Sequence, residues 1–180
     1  MVYLVDTRAD SGSWDPVVGH LHQLLEGRIA QIAIPARSAG RRLEPHLVVG
    51  DGEQPLVLVA HCGGASAILR WARSSMLARP VAGIVFVNPL LDQTSHADSI
   101  AETALITMRQ IPTWTVTGQH DPYATPDRCR RFAEQIWGDH DIVLEAGHVL
   151  PLQDPMATSE PILAALDVAY RMRYVGGRPC

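Results

Sequence analysis

Along this chain, short apolar runs rich in β-branched residues alternate with longer stretches whose apolar positions recur every three or four residues. Val2 to Asp6 is the first run and reads as a strand. Asp15 to Leu25 follows, with Val17, Val18, Leu21, Leu24 and Leu25 at helical spacing and Pro16 in the first turn, where its missing N–H leaves nothing unpaired. Ile29 to Ile34 is a second strand, ended by Pro35. Residues 36–53, rich in Arg, Gly and Pro, read as loop with at most one short element. Pro55 to Ala60 has almost no polar side chain and is expected to be buried on both faces. The pattern then predicts a helix from about Gly64 to Leu77, a strand Val81 to Val87 stopped by Asn88-Pro89, and a helix Ala97 to Arg109. A strand Thr113 to Thr117, a helix Pro126 to Trp137, a strand Asp141 to Leu144 and a helix Pro155 to Tyr170 complete the series. Arg171 to Cys180 reads as a frayed tail.

Strands alternating with helices build an α/β architecture, a doubly wound and mostly parallel sheet. Crossovers are expected to be right-handed, with any site at the carboxyl ends of the strands. The length of 180 residues suits one domain, 1–170, followed by the tail 171–180. No internal repeat or linker interrupts it.

Composition narrows the function classes. Apolar residues make up 47% and charged residues 19%, the balance of a globular chain. A formal charge of −4 argues against a general nucleic-acid binder. No apolar run approaches the length of a membrane span, and residues 1–6 lack the basic start and cleavage site of a signal peptide. The three cysteines, Cys62, Cys129 and Cys180, are widely spaced and odd in number, so neither a disulfide framework nor a zinc site is expected. Reduced thiols in a cytoplasm fit this usage. His20 and His22 stand two apart on a helix and face different ways, and the other histidines show no metal-ligand spacing. No metal and no cofactor is expected.

The segment that carries chemistry is Leu56-Val57-Leu58-Val59-Ala60-His61-Cys62-Gly63-Gly64-Ala65-Ser66. A buried strand runs into a tight turn and then a helix, with Cys62 at the apex. Small residues, Ala60 and Gly64, stand two before and two after it, as a sharp strand-to-helix turn requires. That geometry is expected to push the apex side chain into the open. It aims the amide of Gly63 and a helix N-terminus at one point beside the thiol, a place suited to an oxyanion and to a thiolate. The plainer alternative is a buried cysteine in a glycine-rich turn.

Two later segments bear on that choice. Thr117-Gly118-Gln119-His120-Asp121-Pro122 leaves a strand, and so does Glu145-Ala146-Gly147-His148-Val149. Cys62, Asp121 and His148 thus each lie just past a carboxyl strand end, in the chain order nucleophile, acid, base. His148 would take the thiol proton and later protonate a leaving group, and Asp121 would orient the imidazole. Each residue alone also has a structural reading, a loop acid before a helix and a turn histidine.

With these segments the chain resembles the α/β-hydrolase fold superfamily over nearly its whole length. Ser13-Trp14-Asp15-Pro16-Val17-Val18 resembles the entry to the family's first helix, and Ile32 to Gly40 the segment after its second strand. Ala60 to Gly64 resembles the nucleophile elbow, Ile111 to Gly118 with Asp121-Pro122 the acid segment, and Ala146-Gly147-His148 with Leu152-Gln153-Asp154-Pro155 the histidine segment. The nucleophile is Cys62, as in dienelactone-hydrolase-like members, where most members have serine. The family's His-Gly pair after the first strand is replaced by Asp6-Thr7, followed by Arg8-Ala9-Asp10. A backbone amide of Thr7 or Arg8 would then join Gly63 in the oxyanion hole. The cap is reduced to the 24 residues between Val87 and Pro112. The first strands of the full fold are missing, so the resemblance implies a minimal, six-stranded sheet with an open, shallow site.

The resemblance implies a hydrolase or acyl-transfer enzyme that cleaves an ester or thioester through an acyl-Cys62 intermediate. Its substrate would be a small-molecule or carrier-borne acyl group, with no nucleic acid and no membrane as partner. The rival readings are a non-catalytic homologue that binds a ligand or partner, and a lyase, isomerase or cyclase that reuses the triad. Among the remaining residues, Arg8, Asp10 and Ser11 read as a solvated loop or as substrate contacts. His61 is expected to pack under the elbow, and Trp14 and Trp71 to lie in the core. Arg128, Arg130 and Arg131 read as the solvated face of a helix.

Overall fold

A computed structural model of the chain describes residues 2–6, 11–26, 31–35, 55–73, 80–91 and 100–175. The strands are β1 (Val2–Asp6), β2 (Gln31–Pro35), β3 (Leu56–His61), β4 (Val81–Val87), β5 (Thr113–Gly118) and β6 (Asp139–Val143). The α-helices among the described residues are α1 (Asp15–Leu24), α2 (Gly64–Arg73), α3 (Glu102–Met108), α4 (Pro126–Ile136), α5 (Leu150–Gln153) and α6 (Pro155–Val175). A 3-10 turn, Ser11–Trp14, leads into α1. The strands form one sheet in the order β2-β1-β3-β4-β5-β6, and every neighbouring pair is parallel. The loop expected at 36–53 lies outside the described residues.

The period of two along β3 and β4 sorts side chains to the two faces. Leu56, Leu58, Ile84 and Phe86 pack with Ile68 and Trp71 of α2, Met108 of α3, and Phe132 and Ile136 of α4. Val57, Val59, Val85 and Val87 pack on the opposite face with Val17 and Leu21 of α1, Leu150 of α5, and Ile162 and Ala165 of α6. Both strands are buried at every position, as their unbroken apolar runs require. Phe86 is fully buried and meets Phe132 edge to face at 4.9 Å. Side chains of this size contribute about 1.5–3 kcal/mol each on burial. Trp14 and Trp71 are core residues, at 3% and 5% exposure.

The edge strand β6 has the opposite character, with Asp139, Asp141 and Ile142 exposed. Charged side chains on an unpaired edge discourage pairing with another chain. The helix before it ends at Trp137 in the left-handed region (φ 59°), and Gly138 donates back to Ala133 at 2.9 Å. The strand therefore starts at Asp139, earlier than the apolar pattern from Asp141 suggested.

Two helices depart from the pattern. Helix α3 starts at Glu102, because Ile100 and Ala101 are not helical. Helix α6 corrects the expected tail, running on through Arg171 to Val175. No breaker stands there before the glycines at 176 and 177. Arg171 pairs with Asp167 at 2.7 Å, and Tyr170 stacks on Tyr174 at 4.5 Å, one helical turn apart in each case. At the other end Asp154 caps α6, its Oδ1 accepting from the Ala157 amide at 2.9 Å.

At Gly83 of β4 the sheet and α6 approach closely. A β-carbon there would stand 2.9 Å from Ala165 Cβ and 2.9 Å from the Trp114 ring. Gly19 of α1 has nothing within 4 Å of such an atom. We expect Gly83→Val to destabilise the fold by about 1–3 kcal/mol through overpacking. Gly19→Ala should be neutral or stabilise by roughly 0.5–1 kcal/mol through helix propensity. Chemical denaturation of the two variants checks this, and equal effects would contradict the packing of α6 on β4.

Candidate active site

The apex of the turn after β3 is Cys62, whose φ is 53°. A non-glycine residue in this left-handed region costs on the order of 1–3 kcal/mol and persists only where its surroundings fix it. Here the Cys62 amide donates to Val87 O at 3.1 Å, and its carbonyl accepts from Leu90 at 2.9 Å. The turn is thereby tied to the segment leaving β4. Ala60 and Gly64 on either side are buried. Ala65 and Ser66 donate to the carbonyls of Cys62 and Gly63 at 3.3 and 3.1 Å, closing the first turn of α2. The expectation that the apex side chain stands in the open is corrected: Cys62 is only 2% exposed. The His148 ring that hydrogen-bonds it and the Leu90 segment bound to its carbonyl lie against it.

Asp121 follows β5 and is 3% exposed. Its Oδ1 accepts from the amides of Tyr123 and Ala124 at 2.8 and 2.9 Å, and its Oδ2 from His148 Nδ1 at 2.7 Å. Burial alone would raise this carboxyl, but the hydrogen bonds from His148, Ala124 and Tyr123 outweigh it and hold the pKa below the ordinary value. His148 lies in the turn after β6, its side chain 16% exposed. The hydrogen bond to Asp121, and next the hydrogen bond to Cys62, raise its pKa to about 9 against the opposing effect of burial. With Nδ1 on the carboxylate, Nε2 is the ring nitrogen left to face the sulfur. The structure thus brings Cys62, His148 and Asp121 together.

The loops that carry Asp121 and His148 are stitched to one another. Gln119 donates to Val143 O at 2.9 Å and His120 to Ala146 O at 2.8 Å. Gln153 Oε1 accepts from Gly147 N at 2.8 Å. Gly118 permits this approach, since a β-carbon there would fall 2.5 Å from Gly147 O and 2.7 Å from Ala146 O.

Two residues outside the expected triad hold it in place. Asn88, fully buried, accepts from the Gly118 amide at 2.9 Å through its side-chain oxygen. Its side-chain nitrogen donates to the carbonyls of Gly147 and His148, at 3.0 and 2.8 Å. The sequence read Asn88-Pro89 only as a strand stop. The missed signal was a polar side chain at the carboxyl end of an otherwise apolar strand, level with the other two site loops. His61 is 6% exposed, and its Nε2 donates to His148 O at 3.0 Å. It packs edge-on to Trp14 at 6.0 Å, under the elbow.

Thr7, Arg8 and Asp10 lie outside the described residues, as does the side chain of Ser11. Gly63, the other expected oxyanion residue, immediately precedes α2. Cys129 is buried, its thiol donating to Ala124 O at 3.5 Å, and burial pushes its pKa up to about 11. It is a core thiol. Among the described residues no group of His, Cys, Asp and Glu is arranged to hold a metal ion, and no helix is long and apolar enough to cross a membrane.

The family model described as serine hydrolase matches residues 43–153, a span that holds all three residues of this cluster. No curated protein matches the sequence. Solved structures do. A serine hydrolase involved in carbazole degradation superposes with a TM-score of 0.69 at 14% identity, covering 93% of this chain and 90% of its own. The ydeN gene product of B. subtilis gives a TM-score of 0.65 at 22% identity, covering 94% and 97%. The thioesterase domain from the curacin biosynthetic pathway gives 0.64 at 14% identity, covering 90% of each chain. At these identities the likeness shows the α/β-hydrolase fold.

The raised pKa of His148 links protonation to stability. The ordinary value is 6.5 and the folded value about 9. The stabilisation from the bound proton is therefore complete below pH 6.5 and is lost as pH rises through 9. The melting temperature of the protein minus that of His148→Gln should be largest and flat between pH 5 and 6.5, then shrink towards pH 9 to 10. A gap that stays constant across that range would contradict the bonding of His148 to Asp121 and Cys62.

Proposed function

Because the chain belongs to the serine hydrolase family, we propose that it cleaves an ester or thioester with Cys62 in the place of the family's serine. The single observation that supports this reading most is the position of His148, bonded to Asp121 at 2.7 Å on one side and to the Cys62 sulfur on the other. An imidazole that keeps its proton to about pH 9 is a cation beside the thiol across the neutral range. Such a neighbour favours the thiolate, the nucleophilic form.

The reaction follows from these roles. The Cys62 sulfur attacks the carbonyl carbon, and the carbonyl π electrons move to oxygen. The Gly63 amide, together with an amide of Thr7 or Arg8, receives that oxyanion. On collapse the C–O or C–S bond to the leaving group breaks, and the leaving group takes the proton of His148. His148, now neutral, takes a proton from water, whose oxygen attacks the acyl-Cys62 thioester; the C–S bond breaks, releasing the acid and restoring the thiolate beside the protonated imidazole. Asp121 holds the ring and stabilises its cation. Thioesters also react readily with amines and thiols, so either can replace water and turn hydrolysis into acyl transfer. The acyl group comes from a small molecule or a carrier, and the thiol stays reduced in a cytoplasmic setting.

One observation favours the rival reading of a ligand-binding homologue: the thiol is only 2% exposed. The two readings part experimentally. For an enzyme, Cys62→Ala and His148→Ala should each lower kcat/KM on a panel of activated acyl thioesters by a factor on the order of a thousand or more. Asp121→Asn should fall between them and the parent. Iodoacetamide should label Cys62 well below pH 8, more slowly in His148→Ala. Absence of turnover in the parent protein, with labelling slow at every pH up to 8, would favour the binding homologue.

A further inference from the structure

Beside the triad runs a groove of about 160 Å³. Leu90, Leu91, Ile100 and Phe132 form its apolar part, and Arg128 and Arg131 its charged part. It is continuous with the candidate active site through two residues. The amide of Leu90 is bonded to the Cys62 carbonyl. Tyr123, which also lines the groove, donates its amide to Asp121 and sets its ring edge-on to His148 at 5.2 Å.

The arginines of α4 divide into two groups. Arg130 is paired, at 2.8 Å with Glu134 and 3.7 Å with Asp127. Arg128 and Arg131 stand one turn apart on the face that borders the groove, with Gln135 a further turn along. Among the described residues no carboxylate lines this groove and neither arginine has an ion-pair partner. All three arginines are exposed, as the sequence reading expected, and Arg128 and Arg131 in addition border the groove. Two guanidinium groups side by side with no ion-pair partner among the described residues are a local exception in a chain of formal charge −4. The larger hollow between β6 and α6, about 770 Å³, is lined by Asp139, Asp141 and Glu160 and would repel an anion.

We propose that the acyl substrate carries a terminal oxyanion, a carboxylate or a phosphate-type group, which Arg128 and Arg131 bind while its apolar stem lies along Leu90, Leu91 and Phe132. Guanidinium groups hold such oxyanions by charge-assisted, often bidentate hydrogen bonds. This inference rests on the reading of Cys62 as the acyl-accepting group. It makes the groove a selector for acyl chains charged at the far end.

The test compares three activated 4-nitrophenyl esters of equal stem length: octanoate, suberate with a free terminal carboxylate, and an octanoate bearing a terminal phosphonate. At low ionic strength kcat/KM should favour at least one charged ester over the neutral one by about tenfold or more, the preferred member identifying the oxyanion. The preference should shrink as salt is raised. It should fall to within about twofold in Arg128→Gln/Arg131→Gln and persist in Arg130→Gln. Equal rates on all three esters, or a preference that survives the double substitution, would overturn the proposal. If no ester is cleaved, the reading of Cys62 has failed, and calorimetry on Cys62→Ser still decides the groove. Monomethyl suberate or the methyl ester of the phosphonate-bearing octanoate should bind about tenfold or more tighter than dimethyl suberate, and the double substitution should abolish the difference. Dimethyl suberate binding as tightly as both monomethyl suberate and the methyl ester of the phosphonate-bearing octanoate would overturn the proposal on its own.

Discussion

The candidate site hangs on a buried amide. Asn88 ends β4 and joins the two loops that must meet at the thiol: its oxygen takes the Gly118 amide of β5, and its nitrogen serves the carbonyls of Gly147 and His148. Buried backbone groups left unpaired cost roughly 1–3 kcal/mol each, so this one side chain fixes the spacing of the loops. The segment that leaves β4 also fixes the elbow, since Val87 and Leu90 bond the amide and the carbonyl of Cys62. One strand end thus positions nucleophile, acid and base together. The left-handed backbone at Cys62 is held by the same contacts. Local strain and loop placement therefore have a common support, centred on a residue that touches neither substrate nor proton.

Much of the fold was legible because its central strands are buried on both faces. The unbroken apolar runs of β3 and β4 and the alternation of strands with amphipathic stretches carry that signal. Boundaries were less legible where tertiary contacts decide them. Schellman geometry at Trp137 starts β6 early, and an ion pair with a ring stack extends α6 past Tyr170. The convergence of Asp121 and His148 was legible because both follow strands of a parallel sheet, whose carboxyl ends lie on one side. The roles of Asn88 and His61 were not, because they act through backbone carbonyls distant in sequence, and no local pattern encodes such partners. The burial of Cys62, which the sequence offered only as the plainer alternative, depends on contacts distant in sequence, among them the His148 ring.

These features combine into one chemical picture. Asp121 stays ionised because His148 and two amides solvate it in place of water. Its charge in turn raises the affinity of His148 for a proton. A cation held beside a sulfur in a nearly dry turn is an arrangement that serine would not need in the same form, since a hydroxyl must be deprotonated during attack whereas a thiol can give up its proton beforehand. The groove that leaves the site past Tyr123 adds a second electrostatic element, two arginines with no ion-pair partner among the described residues, where an acyl chain would end on the proposed reading. On the proposed reading, selection by charge at the tail would come from helix α4 and activation by charge at the thiol from the turn after β6, both at the carboxyl end of the sheet.

The account stands or falls on a covalent bond to one sulfur. Brief incubation with an activated acyl thioester, acid quench and intact-mass analysis with peptide mapping measure it directly. The account predicts a mass increase equal to one acyl group, located on the peptide bearing Cys62 and labile to hydroxylamine, with no such adduct on Cys129 or Cys180. Turnover that continues at the parent rate in Cys62→Ala, or an adduct on another residue, would contradict it.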